Sequence, residues 1–152
     1  MITISVEDPG APEVTELLRE HLREMSSLTP PESVHALDVD ALRRADVTFW
    51  TARQDGELLG CAALKELDGE HAEIKSMRTT GTHRRKGVAR RLLETVLAEA
   101  RRRGYRRVSL ETGSQDAFEP ARRLYAEYGF IDCAPFADYI DDPNSVYMTR
   151  EL

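Results

Sequence analysis

A length of 152 residues is that of one domain, enough to bury about 68 to 70% of the surface the unfolded chain exposes, and residues 1–152 read as a single unit. Hydrophobic residues make up 41% and charged residues 32%, a balance too apolar for a disordered chain. A net charge of -6 argues against a non-specific nucleic-acid binder, which needs a positive surface to meet phosphates.

Ile2, Ile4 and Val6 alternate with polar residues and predict a first strand, stopped by Asp8-Pro9-Gly10. The start is too short and too soon acidic for a signal peptide or a membrane span, so cytoplasmic residence is expected. Leu17, Leu18, His21, Leu22 and Met25 form a helical stripe, with Glu13 and Glu16 near the positive end of its dipole. Residues 26–35 contain Pro30-Pro31 and read as a loop, followed by one or two helical turns over 40–44. Three strands are predicted at 47–53, 58–67 and 71–78, and the turn signals Asp55-Gly56 and Asp68-Gly69 make them an antiparallel meander.

The longest helix spans 87–103: Val88, Leu92, Val96 and Ala100 recur every four residues, Leu93 and Leu97 widen the stripe, and Gly104 ends it. Leu92 and Val96 are core positions on this reading. A strand over 107–110, a second amphipathic helix over 118–128 closed by Gly129, a strand start at 130–133 and an alternating tail around Val146 and Met148 complete the chain. The fold class is α/β, helices covering a mixed, largely antiparallel sheet. Cys61 and Cys133 form no CxxC pair and the four histidines complete no ligand set, so free buried thiols and no metal are expected.

Basic residues concentrate between Arg84 and Arg107 although the whole chain is acidic, a pattern that suits a small anionic ligand or a solvated helix face. The turn Met77-Arg78-Thr79-Thr80-Gly81-Thr82-His83-Arg84-Arg85-Lys86-Gly87-Val88-Ala89 joins a strand to the long helix. Glycine admits phosphate oxygens close to the backbone, and the unpaired N–H groups of the first helical turn point at them. The three spaced glycines of a dinucleotide site and the Gly-Lys-Ser/Thr end of a P-loop are both missing.

Arg84, Gly87 and Ala89 match the pattern Gln/Arg, two variable residues, Gly, one variable residue, Gly/Ala. This resembles the acetyl-CoA-binding motif of the GNAT N-acetyltransferases, and the element order, with Leu124-Tyr125 on the second helix and Gly129-Phe130 after it, is similar to that family over nearly the whole chain. The resemblance implies the GNAT fold and acetyl-CoA as co-substrate. Backbone groups of Met77, Arg78 and Thr79 would meet the pantetheine arm; Arg84, Arg85, Lys86, Gly87, Val88 and Ala89 would hold the pyrophosphate. It implies Tyr125 as the general acid for the departing thiolate and Glu73 as the general base, although Lys75 on the same strand face offers Glu73 an ion pair instead. Backbone amides near Met77 and Arg78 would polarise the thioester, with no metal. One departure stands out: many members carry asparagine seven residues before the tyrosine, where this chain has Phe118.

The expected acceptor is a primary amine of a small molecule or amino acid, bound by His35, Phe136, Asp138 and Tyr139. Asp138, Asp141 and Asp142 could attract a cation; a positive pocket would instead favour a carboxylate-bearing amine anchored by Arg78 or Arg123. The rival readings are a non-catalytic acyl-CoA-binding module, a protein or peptide N-acetyltransferase, and a structural protein that binds no CoA. A homodimer is compatible with all of them.

Overall fold

A computed structural model of the chain describes residues 1–33, 39–80 and 87–152. Strand β1 (Thr3–Val6) leads into helix α1 (Pro12–Leu28), a 3-10 turn (Pro31–Ser33) and the short α2 (Val39–Leu42). The meander β2 (Val47–Gln54), β3 (Glu57–Glu66) and β4 (His71–Thr79) follows, then α3 (Val88–Arg102) and β5 (Arg107–Gly113). A 3-10 turn (Asp116–Phe118), α4 (Glu119–Glu127), β6 (Ile131–Asp132) and β7 (Ser145–Glu151) end the chain.

The meander forms as its turn residues require. Asp55 and Gly56 take φ of 52° and 81°, the left-handed pair of a type I′ hairpin that matches strand twist. α1 begins with Pro12, whose fixed φ and missing N–H suit a first helical turn, and buries Val14, Leu17, Leu18 and Met25. Leu22, expected on that stripe, is instead 43% exposed. α3 buries Val88, Leu92, Leu93, Val96, Leu97 and Ala100, and Gly104 with φ 83° turns the chain out of it.

The strands form one seven-stranded sheet in the order β1-β2-β3-β4-β5-β7-β6, in which the β4 and β5 pairing is parallel. Two cores lie on its opposite faces. The larger packs Trp50, Leu64, Ala72, Ile74, Val108 and Leu110 against α3 and against Tyr125 of α4. The smaller packs Phe49, Leu58, Cys61 and Ala63 against α1 and Leu42 of α2.

Two irregularities shape the centre of the sheet. β4 pairs with β5 from His71–Arg107 to Ile74–Leu110; beyond that, β4 continues on β3 while β5 continues on β7. The sheet therefore opens between Lys75 and Glu111. In addition, Ala63 pairs with Lys75 and Cys61 with Arg78, so Ser76 and Met77 together oppose Ala62 in a β-bulge, with Ser76 at φ 54°. The extra residue reverses the alternation: Met77 packs on the α3 core, and Arg78 joins Glu73 and Lys75 on the α1 face.

Candidate active site

A cavity of about 970 Å³ occupies the opening between β4 and β5. On one side its wall is made by the start of α3 and by α4. Gly87, the residue before α3, has φ 76°, and among the described residues no atom beyond its chain neighbours lies within 4 Å of where a side chain would stand. Among the described residues no side chain caps α3, which leaves its first-turn N–H groups as donors for a ligand in the cavity. Gly60 on β3 makes this approach possible: a Cβ there would lie 2.6 Å from the Arg78 carbonyl oxygen and 3.1 Å from Val88 Cγ1.

Tyr125 closes the same side. It is 6% exposed and packs edge-on against Phe130 at 5.8 Å between ring centroids. Burial, with the charge of Glu111 second, raises its pKa, so the phenol is protonated at neutral pH and can donate. Phe118 also lines the cavity, its ring lying where a Cβ on Gly113 would collide, so an apolar ring stands where the resemblance would have an asparagine. Arg122 donates to the carbonyls of Gly113 (2.7 Å) and Gln115 (2.9 Å) and pins the segment leading into α4.

On the α1 face the wall carries a compact polar group. Glu73, 3% exposed, accepts from Tyr139 Oη at 2.5 Å and from Lys75 Nζ at 3.2 Å through the same Oε2. Lys75 also donates to Tyr139 Oη at 2.8 Å and lies 5.4 Å from that ring's centroid. Burial first and the Glu73 charge second raise the Tyr139 pKa, so this phenol stays protonated and donates to the carboxylate. Phe136 supports Tyr139 from behind at 5.1 Å, and Tyr147 packs against both rings.

Further along this face Arg78, 8% exposed, bridges to α1 through Glu24 at 2.6 Å and Glu20 at 3.3 Å. His21 stands beside it on the wall; burial, and next the Arg78 charge, lower its pKa from 6.5 to about 4, so the ring is neutral. His21 Nδ1, Ser76 Oγ and Arg78 Nε are buried and have no hydrogen-bond partner among the described residues.

Of the residues singled out from sequence, Glu73, Met77, Arg78, Thr79, Gly87, Val88, Ala89, Tyr125 and Tyr139 come together around this one cavity. Phe136 lies behind Tyr139 and Asp138 is exposed; neither lines the cavity. His35, Arg84, Arg85 and Lys86 lie outside the described residues. Sequence reasoning missed His21, Glu24, Ser76 and Glu111 as wall residues. His21 was legible as one position of the α1 stripe, but its proximity to Arg78 depends on the bulge at Ser76. Burial pushes the Cys61 thiol up to about 12 and also raises Cys133, which keeps both thiols protonated. Among the described residues no group of three or more His, Cys, Asp or Glu could hold a metal, and no helix is long and apolar enough to cross a membrane.

A sheet that splits between two parallel strands, with the start of a long helix at the split, is the architecture of an acyl-CoA transferase. The profile of the acetyltransferase (GNAT) family matches residues 12–130, and the chain belongs to that family. It is 54% identical over 149 residues to the uncharacterized N-acetyltransferase YsnE of Bacillus subtilis, covering 98% of this chain and 99% of that one. It is 45% identical over 152 residues to the uncharacterized N-acetyltransferase YedL of Escherichia coli, covering 100% and 96%. A solved structure from Klebsiella pneumoniae, assigned to the acyl-CoA N-acyltransferases, superposes with a TM-score of 0.81 at 27% identity over 100% of this chain and 98% of that one. The protein is an acetyl-CoA-dependent N-acetyltransferase that acts on an amine-bearing substrate.

Proposed function

We propose that the chain acetylates the primary amine of a small molecule by direct attack in a ternary complex, with donor and acceptor meeting in the opening between β4 and β5. The observation that carries this reading is the placement of Tyr125 and of the Glu73–Tyr139 pair on the wall of one cavity. The described residues fit acetyl-CoA: Gly87 leaves the α3 terminus open, no side chain among them competes for its N–H groups, and none of their strands lies beside β4 beyond Ile74 on the β5 side. Met77, Arg78 and Thr79 would hold the pantetheine arm by their backbone. Gly87, Val88 and Ala89 would hold the pyrophosphate, assisted by Arg84, Arg85 and Lys86 of the preceding turn. Bound there, acetyl-CoA supplies an acetyl group activated as a thioester.

Tyr125 holds the proton that a departing thiolate needs. Backbone N–H groups near Met77 and Arg78 polarise the carbonyl under attack. Glu73 receives the amine's proton, directly or through water, while Tyr139 and Lys75 fix its orientation. The assignment is tested by thiol release with polyamines, aminoglycosides, amino acids and peptides, using wild-type, Tyr125→Phe and Glu73→Gln proteins. Tight acetyl-CoA binding with no turnover on any amine would replace the enzyme by a binding module for acyl-CoA. Cytoplasmic residence and a homodimer belong to the same proposal, the second read by sedimentation.

A further inference from the structure

The acceptor end of the cavity places a limit on what can accompany the amine. Every described basic residue on the wall is already held by a carboxylate: Lys75 by Glu73 at 3.2 Å, Arg78 by Glu24 at 2.6 Å and Glu20 at 3.3 Å, Arg90 by Glu127 at 2.7 Å, and Arg123 by Glu119 at 2.8 Å. Arg78 and Arg123, the anchors a carboxylate-bearing acceptor would use, are therefore both engaged. An acceptor carboxylate would have to displace Glu20 or Glu24 from Arg78 or share one guanidinium with them, close to buried Glu73.

The polar atoms left on this wall offer a carboxylate no substitute. Arg78 Nε, His21 Nδ1 and Ser76 Oγ have no hydrogen-bond partner among the described residues, but all three are buried and closed off by the protein around them. A neighbour without charge leaves the Arg78 pairs with Glu20 and Glu24 undisturbed. His21, neutral through burial, adds no positive charge to repel an ammonium group.

We infer that the acceptor is a cationic amine whose neighbouring oxygen is neutral, a hydroxyl or an amide carbonyl, and that the cavity discriminates against free α-amino acids. The inference rests on the function proposed for this cavity and narrows its substrate class. The neutral oxygen leaves Arg78 bound to Glu20 and Glu24, while the amine is turned toward the opening between Lys75 and Glu111.

The test uses matched series: phenylalanine, leucine and lysine, each with its carboxamide and its amino alcohol. Thiol release is measured for all nine, and binding of each compound is measured by calorimetry on protein saturated with CoA. The carboxamide or the alcohol is expected to exceed its parent amino acid in kcat/KM, and in affinity, by about tenfold or more. Which of the two leads identifies the oxygen as amide or hydroxyl. In a Glu20→Gln, Glu24→Gln double variant, which frees Arg78, the ratio should fall several-fold. Parity or preference for the free acid in the wild-type protein overturns the inference, as does an unchanged ratio in the double variant. Absence of binding by all nine compounds to a protein that still binds acetyl-CoA overturns it too. Failure to bind acetyl-CoA would instead remove the function proposed for the cavity.

Discussion

Tyr125, buried, and Tyr139, half-buried, are both phenols whose pKa values are raised mainly by burial, yet their surroundings differ. Tyr125 has an aromatic neighbour, Phe130, and faces the end of the cavity bounded by α3 and α4. Tyr139 spends its proton on Glu73. Tyr125→Phe should therefore lower kcat about a hundredfold, with little change in acetyl-CoA affinity, in single-turnover and binding measurements. Tyr139→Phe removes one donor from the Glu73 carboxylate and leaves the Lys75 ion pair in place. Its expected signature is a roughly tenfold lower kcat/KM for the amine at constant KM for acetyl-CoA. Equal losses for both co-substrates would show that Tyr139 merely supports the wall.

At the scale of elements, the site depends on how closely α3 approaches the sheet. Gly60 on β3 faces the Arg78 carbonyl, Val88 and Leu92, and the backbone contact leaves no room for a methyl group. Gly60→Ala should destabilise the fold by about 2 kcal/mol and raise the KM for acetyl-CoA, because α3 must move outward from β3 and β4. Urea unfolding and steady-state kinetics read the two effects separately. A stable variant with unaltered KM would mean that the helix can start elsewhere. The bulge at Ser76 acts at the same scale: one extra residue carries Arg78 across the sheet to Glu20 and Glu24 and so couples α1 to the strand that borders the site.

For the whole molecule, groups in separate places respond to acid in the same direction, His21 and Glu7 among them. His21 titrates near 4 in the folded protein against 6.5 ordinarily, so below pH 6.5 the unfolded chain takes up a proton that the folded chain refuses. Stability is full above pH 6.5 and falls as the pH drops toward 4. Glu7 is lowered first by its hydrogen bond from Arg53, at 2.6 Å, and it ties the segment after β1 to β2. Its contribution is present above its ordinary value of 4.5 and is lost as the pH falls below that. The melting temperature should decline between pH 6.5 and 4, and His21→Leu should flatten that limb without altering the steeper loss below it. Parallel curves for wild-type and variant would remove His21 from the account.

Local sequence specifies the elements, the meander and the open start of α3, because each is written within a few neighbouring residues. The stripe from Val88 to Ala100 places α3 and Asp55-Gly56 closes the first hairpin, while Gly87 supplies the open, left-handed entry to the helix. A nearby carboxylate and ammonium on β4 were also legible, since Glu73 and Lys75 stand two positions apart on one face. Tertiary structure alone decided which groups meet across the chain. Tyr139 reaches Glu73 from 66 positions away, and neither alternation nor turn chemistry encodes that distance. The bulge breaks the period of two where β4 lines the cavity, so counting from Glu73 would have sent Arg78 to the α3 face. The open start of α3 is local chemistry at a helix terminus; the grouping of Glu73, Tyr139 and Arg78 on one wall is a property of side chains that only packing brings together.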